Sequence, residues 1–308
     1  MLTVLFATRN GAHILPQVLE AYARLREPAG GWKLVIVDNG SDDGTRECLA
    51  AYAGRLPLTY VSEPRPGKNA ALNTGLAATA GDLVVLTDDD VYPGPGWLVA
   101  LRDAADAHPD YAVFGGVIVP RWEAPPEPWI LSWVRLGPVY SLSPELPEGE
   151  MPPYYVFGPN MAVRASVFAA GGGHRFDESI GPRGGDYPMG SETEFVQRLH
   201  AAGFRAWHCR AAVVEHFIRR HQLQRGWILQ RAVRYGRGQQ RLGAADVPTD
   251  ARRWFGVPRY FFRELLGDGV AAVAARLRGD PHRTFQADWQ LSYDWGRVRE
   301  AFLLGRGR

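Results

Sequence analysis

Residues 81–90 read GDLVVLTDDD, an apolar run of four that ends in a threonine and three consecutive aspartates. A short run rich in β-branched residues and closed by turn-formers reads as a buried strand over 82–87. Adjacent carboxylates repel and raise one another's pKa, so Asp88, Asp89 and Asp90 require a cation or water. Side chains alternate along a strand, which puts Asp88 and Asp90 on one side and Asp89 on the other. Hard oxygen ligands at a strand tip suit Mg²⁺ or Mn²⁺, ions that bridge phosphates.

Working outward, the same kind of run recurs as LTVLFAT (2–8), KLVIVD (33–38) and LTYVSE (58–63). Helical patterns lie between them near 13–25, 42–53, 68–79 and 95–107. Alternating β and α units predict a parallel, doubly wound sheet, whose ligands bind outside the carboxyl ends of the strands. Three such ends carry polar groups: ATRN (7–10), VDNGSDDGT (37–45) and TDDDV (87–91). Beyond residue 120 the pattern changes to a Pro-, Trp- and Glu-rich excursion over 120–153. A strand-like YYVFGPNMAV (154–163), a helix over about 190–202 and short strands within 204–217 follow. We expect a domain over 1–217, split near 120 into nucleotide-binding and acceptor halves, and an arginine-rich helical region over 218–308.

With 46% hydrophobic and 22% charged residues the 308-residue chain has globular composition. Its N-terminus lacks a basic region and a long apolar stretch, and GVAAVAA (269–275) is far too short to span a bilayer. Cys48 and Cys209 stand alone without a CxxC pattern, so the expectation is a reduced, cytoplasmic chain. The net charge of +2 hides an asymmetry. Residues 216–308 hold eighteen arginines, no lysine and eight acids, a balance of +10, whereas residues 1–215 balance at −8. The basic part either meets an anionic surface such as the inner face of a membrane or pairs with the acidic part within one fold. Arg231, Arg234, Arg237 and Arg241 make one helical stripe, and Phe262, Leu265, Leu266, Val273 and Leu277 share an apolar face flanked by arginines.

Each polar constellation has a plain structural reading beside the functional one. Asn39-Gly40 makes a turn, with Ser41 or Asp42 to cap the following helix, while Asp38 stands at the strand tip where base or ribose donors are met. Lys68 opens a helix, where lysine and dipole together attract phosphate. Ser191 reads as an N-cap, with Glu192 in the first turn either favoured by the dipole or acting as a general base. His216 ends AAVVEH and completes, beside Asp90, a mixed oxygen and nitrogen site suited to Mn²⁺. A phosphatase-type D-x-D-x-T/V motif fails at Tyr92, which occupies the Thr/Val position.

Seven segments in order resemble family 2 glycosyltransferases, inverting enzymes of the GT-A fold: ATRN, VDNGSDDGT, GKNAALNTG, GDLVVLTDDD, FGPNMAVR, GSETEF and VEH, within residues 1–217. The resemblance implies a Rossmann-like parallel or mixed sheet flanked by helices. It implies a nucleoside-diphosphate sugar donor of UDP or GDP type, a Mn²⁺ or Mg²⁺ cofactor, and a glycan, lipid-linked or small hydroxyl acceptor, with no nucleic-acid partner. By position it sets Thr8, Arg9, Asn10, Asp38 and Lys68 against the nucleoside. Asp88 and Asp89 join the donor site, and Gly158, Pro159 and Asn160 stand beside the donor sugar and acceptor. Asp90, with Asp88 and His216, holds the ion. Glu192 falls where the family more often has an Asp of a Glu-Asp pair; here the pair is Ser191-Glu192, and Glu194 is the alternative base. A sugar-nucleotidyltransferase would want a glycine-rich basic loop after the first strand, and ATRNGAH has one glycine. A nucleotide-sugar-binding module without turnover is the non-enzymatic rival.

Overall fold

The computed structural model describes residues 1–169, 173–243 and 251–306. The chain divides into two compact units: Met1–Arg121, Tyr140–Ser179 and Ser191–Phe217 form the first, and Trp122–Val139, Ile180–Gly190 and Ile218–Arg308 the second.

In the first unit the four expected strands form as β1 (Leu2–Thr8), β2 (Trp32–Asp38), β3 (Leu58–Ser62) and β4 (Leu83–Leu86). They pair in parallel in the order β3-β2-β1-β4. The helices between them are α1 (Leu15–Tyr22), α2 (Thr45–Tyr52) and α3 (Lys68–Leu76). The strands are apolar on both faces because helices cover the sheet: Leu5, Val35, Val37 and Val84 are fully buried and share one core with Leu72 of α3. Each such side chain contributes about 1.5–3 kcal/mol. Gly75 permits this approach, since a Cβ there would meet Leu5 Cδ1 at 2.5 Å and Val37 Cγ2 at 2.6 Å.

The sheet then turns antiparallel. After β5 (Val91–Pro93) and α4 (Trp97–Ala107) come β6 (Val113–Trp122), short helices α5 (Pro128–Trp133) and α6 (Leu136–Tyr140), and β7 (Gly149–Glu150). β8 (Met161–Arg164), α7 (Ser191–Ala201) and β9 (Ala206–Ile218) complete this part. β8 pairs antiparallel with β4 and β6, and β9 antiparallel with β5 and β7. The strand expected over 154–163 is therefore mostly two 3₁₀ turns, Pro153–Tyr155 and Gly158–Asn160, because the prolines at 153 and 159 withhold ladder donors. The short strands expected over 204–217 are instead one continuous strand.

The second unit is largely helical: α8 (Arg225–Leu242), α9 (Arg259–Leu277) and α10 (Pro281–Arg306), with a hairpin of β10 (Arg253–Trp254) and β11 (Val257–Pro258). The arginine stripe of α8 is not a solvent-facing band. Arg237 is 5% exposed, and Arg237 and Arg241 grip the fully buried Glu300 of α10 at 2.7 and 2.5 Å. Arg237 also meets Asp186 at 3.0 Å, and Arg234 lies over the Tyr187 ring. A buried carboxylate needs paired charge, so two of the four stripe arginines serve the fold.

Candidate functional site

The register of the parallel strands sets the floor of the site. Thr8, Asp38 and Ser62 are aligned neighbours at the carboxyl ends of β1, β2 and β3. Asp38 is nearly buried; its Oδ1 accepts from the Ser41 amide at 2.9 Å and its Oδ2 from the Tyr60 hydroxyl at 3.0 Å. The turn after it is locked by the adjacent strand tip. Asn10, at φ 55°, donates its amide to Ser41 Oγ, and the Asp42 amide donates to Asn10 Oδ1. Neither Ser41 nor Asp42 caps α2: its N-cap position is Gly44, which brings no side chain, and Asp43 just before it accepts from the Thr45 amide at 3.0 Å. Arg9 is exposed at the same edge.

Thr8 Oγ1 donates to Asp89 Oδ2 at 2.6 Å, so the middle aspartate turns towards β1 while its neighbours face elsewhere. Asp88 meets Lys68 Nζ, and Lys68 also contacts Glu192 Oε1 at 2.6 Å. Ser191, the first residue of α7 rather than its cap, donates its hydroxyl to Glu192 Oε2 at 2.6 Å. Thus both Glu192 oxygens are held, 124 residues away in sequence from the lysine that holds one of them. Gly158 makes the space: a Cβ there would stand 2.8 Å from Glu192 Cγ, Cδ and Oε1.

Asp90 stands apart from this triad. The ladder pairs Val91 with His216, which brings His216 Nε2 to 3.4 Å from Asp90 Oδ1. His216 Nδ1 lies 2.7 Å from the Tyr140 carbonyl. A carbonyl only accepts, so Nδ1 carries a proton and, in the neutral ring, Nε2 presents its lone pair towards Asp90. One carboxylate and one oriented imidazole make a mixed oxygen and nitrogen donor set that suits Mn²⁺ better than Mg²⁺, and Asp90 and His216 are the residues that would hold such an ion. Among the described residues no group of three or more His, Cys, Asp or Glu side chains is arranged to hold an ion.

The electrostatics follow from burial and charge. Burial opposes the Lys68 charge, but Asp88 and Glu192 outweigh it and hold the ammonium above the ordinary lysine range. Burial raises the Asp88 carboxyl; Lys68 opposes this and Glu192 and Asp90 add to it, so the group lies above the usual aspartate range. Burial also works on Glu192, yet Lys68 and the Ser191 hydroxyl win and hold it well below the usual range. Burial depresses His216, and Asp90 more than restores it, leaving the ring above its ordinary value.

Two expected site residues sit elsewhere. Asn160 is fully buried: its Nδ2 donates to the carbonyls of Val117 and Ala212 at 3.0 and 2.9 Å, and its Oδ1 accepts from Trp97 Nε1 at 2.8 Å. The amide is consumed by the fold, so Asn160 pins β6, β9 and α4 rather than meeting a donor. Glu194 is tied to Arg198 on its own helix at 2.8 Å, away from the Lys68 cluster. Sequence reasoning gave Asn39 only a turn and Ser191 only a cap, and did not single out Tyr60. Asn39 Nδ2 donates to the carbonyls of Glu63 and Arg65, and its Oδ1 accepts from the Gly67 amide, which shapes the loop that delivers Lys68. An Asn after a strand-end Asp carries that signal only once the 63–67 loop is known to return to it.

Residues 3–169 match the sequence pattern of glycosyl transferase family 2. The validoxylamine A glucosyltransferase of Streptomyces hygroscopicus subsp. jinggangensis is 28% identical over 227 residues, 66% of this chain and 52% of that protein. The glucosyl-dolichyl phosphate glucuronosyltransferase of Haloferax volcanii is 24% identical over 205 residues, 65% of this chain and 64% of that protein. The chain thus spans about half to just under two thirds of the length of these curated relatives. The structure of the mannosyltransferase PcManGT from Pyrobaculum calidifontis, in complex with GDP-Man and Mn²⁺, superposes with a TM-score of 0.63 at 21% identity, covering 97% of this chain and 86% of that one. Residues 1–349 of S. aureus TarS superpose at 0.55 and 14% identity, covering 99% and 91%. These likenesses are of fold, the α/β sheet with a helical C-terminal part expected of GT-A proteins. With the family pattern matched over more than half of its length, the chain belongs to glycosyl transferase family 2.

Proposed function

We propose that the chain transfers a sugar, with inversion, from a nucleoside-diphosphate donor to an acceptor hydroxyl. The observation that carries this reading is the meeting of Lys68, Asp88 and Glu192 beside the Asp90–His216 pair at the carboxyl ends of the sheet. Asp38, with Thr8, Arg9 and Asn10 at the neighbouring edge, is the candidate contact for base and ribose, leaving the donor type, UDP or GDP, open to measurement. Asp90 and His216 would hold Mn²⁺ or Mg²⁺, and the ion when bound supplies charge that stabilises the departing diphosphate. Lys68 adds a fixed positive charge on the same side. Glu192 takes the acceptor proton as the hydroxyl oxygen bonds to the anomeric carbon, while the bond to the diphosphate breaks and its electron pair leaves with the phosphate. Ser191 and Lys68 orient that carboxylate and keep it ionised, and because the same lysine contact weakens it as a base, proton transfer requires that contact to loosen. The acceptor is a glycan, a lipid-linked carrier or a small hydroxyl compound; likeness to the Haloferax volcanii glucosyl-dolichyl phosphate glucuronosyltransferase supports the lipid-linked class.

A panel of UDP- and GDP-sugars with Mn²⁺, read by melting temperature and by release of nucleoside diphosphate, tests the reading. We expect one donor class to stabilise the wild type. Asp90→Asn should lose the Mn²⁺-dependent part of that shift, and Glu192→Gln should keep the shift while losing turnover about 10²-fold or more. Metal-dependent binding without turnover on any acceptor would favour a binding module, and no response to any donor would sink the proposal.

A further inference from the structure

We propose that the tip of the β10–β11 hairpin and the outward face of α9 together dock this chain on an anionic lipid surface. On α9, Leu266, Val270, Val273 and Leu277 are 69%, 63%, 56% and 83% exposed. Their spacings of four, three and four residues put them on one stripe. The opposite face is the packed one: Phe261, Ala272 and Ala275 are buried, and Glu264 reaches Arg297 of α10 at 3.1 Å. Asp268 also turns inward, interacting with Asp294 of α10. Both acids of the helix therefore lie away from the apolar stripe.

The hairpin extends that stripe. Its turn residues Phe255 and Gly256 both have positive φ, 51° and 81°. Glycine occupies that region freely, whereas a phenylalanine there is strained and, at 83% exposure, gains nothing from the folded core. Trp254, half exposed, has its ring 6.0 Å from Phe262 at the start of the stripe, with the Arg259 guanidinium 4.4 Å over it. An aromatic tip continuous with an apolar helix face is far more than the scattered apolar exposure of an ordinary surface.

Charge selects the occupant. Arg252, Arg253, Arg259 and Arg263 are exposed at the hairpin end, and Arg276 and Arg278 at the other end of α9. A second copy pairing through the stripe would bring arginine against arginine whether the two helices ran parallel or antiparallel. Anionic headgroups reward the same arrangement, with the arginines at headgroup level and Trp254, Phe255 and the stripe at the acyl boundary. No helix among the described residues is long and apolar enough to cross a membrane, so the mode of contact is to lie on the surface. The inference does not depend on the sugar-transfer reading.

Co-sedimentation of the full 308-residue chain with phosphatidylcholine vesicles, with and without phosphatidylserine, tests it. We expect binding at least about tenfold tighter to the anionic vesicles, weakened by salt. Phe255→Ser with Leu277→Ser should weaken it about tenfold or more. Arg252→Gln with Arg263→Gln should weaken binding to anionic vesicles by a similar factor and leave any residual binding to neutral vesicles unchanged. All four side chains are exposed, so circular dichroism and melting temperature should stay those of the wild type, which separates lost docking from lost folding. Equal sedimentation with both vesicle types, or none with either, overturns the proposal. So does a dimer in sedimentation equilibrium that Phe255→Ser with Leu277→Ser dissolves.

Discussion

Replacing Gly158 with alanine adds one methyl group 2.8 Å from Glu192 Cγ, Cδ and Oε1. Carbon contacts settle at about 3.5–4.0 Å, so the carboxylate must retreat by roughly 0.7–1.2 Å. It cannot retreat freely, because Lys68 and Ser191 each hold one of its oxygens at 2.6 Å. Movement on that scale breaks at least one charge-assisted hydrogen bond, worth about 1.5–3 kcal/mol. A misplacement of about 1 Å at a reacting group costs about 10²-fold in rate. We therefore expect kcat to fall about 10- to 100-fold, with the donor KM changed by less than about threefold. Gly158 is not among the residues at positive φ, so alanine brings no backbone strain, and the broken hydrogen bond alone should lower the melting temperature, by about 3–12 °C. The assay is steady-state release of nucleoside diphosphate in the presence of acceptor, for Gly158→Ala, Glu192→Ala and the double variant. Once Glu192 is truncated the methyl group has nothing to displace, so the second substitution should cost less than about twofold. A single variant with wild-type kcat, or an equal loss in both backgrounds, would refute the reasoning that Gly158 acts through Glu192.

Two further substitutions test the fold around the site and in the helical unit. Asn160→Ala leaves the Trp97 indole N–H and two carbonyls without their partner in a buried place, and should destabilise by about 2–4 kcal/mol while the surviving protein keeps its donor KM; a large rise in KM at unchanged stability would return Asn160 to the donor site. Burial, reinforced by Asp294, pushes the Asp268 carboxyl up to about 6. A carboxyl raised on folding favours the folded state only while protonated, so its contribution is present below about pH 4 and lost as pH rises through about 6. Asp268→Asn should thus raise stability by about 1–2 kcal/mol at pH 7 and change it little at pH 4; equal effects at both pH values in thermal melts would show that the carboxyl is not raised.

The four parallel strands and the helices of the first 107 residues were legible because their signals are local, apolar runs of four to seven residues each ended by a polar turn, whereas the short β5 (Val91–Pro93) was not, since only its pairing with the distant β9 makes it a strand. The three aspartates lie beyond the end of β4, in the loop and turn that lead to β5, so it is that turn and not alternation along a strand that aims Asp89 at Thr8. What the chain does beyond residue 120 depends on distant pairing. Nothing local in YYVFGPNMAV says that two prolines will coil it into 3₁₀ turns, nor that Asn160 will be swallowed between β6, β9 and α4. The α8 arginines read as an exposed stripe by spacing alone, because periodicity reports a shared face and not which partner covers it. Glu300, some sixty residues on, decides that Arg237 and Arg241 face inward.

The ladder between β5 and β9 that joins Asp90 to His216 also has a meaning in time. During synthesis the aspartates leave the ribosome long before the histidine, and until residue 216 emerges Asp90 has no imidazole beside it. Lys68 likewise waits for Glu192, 124 residues later. The nascent parallel half can form its sheet early from near neighbours, while its charged rim stays incomplete. If the proposed ion site is real, capture of a divalent ion at Asp90 and His216 would mark the closing of the last long-range strand pair, and its affinity would report how firmly the end of the first unit is stitched back to its beginning.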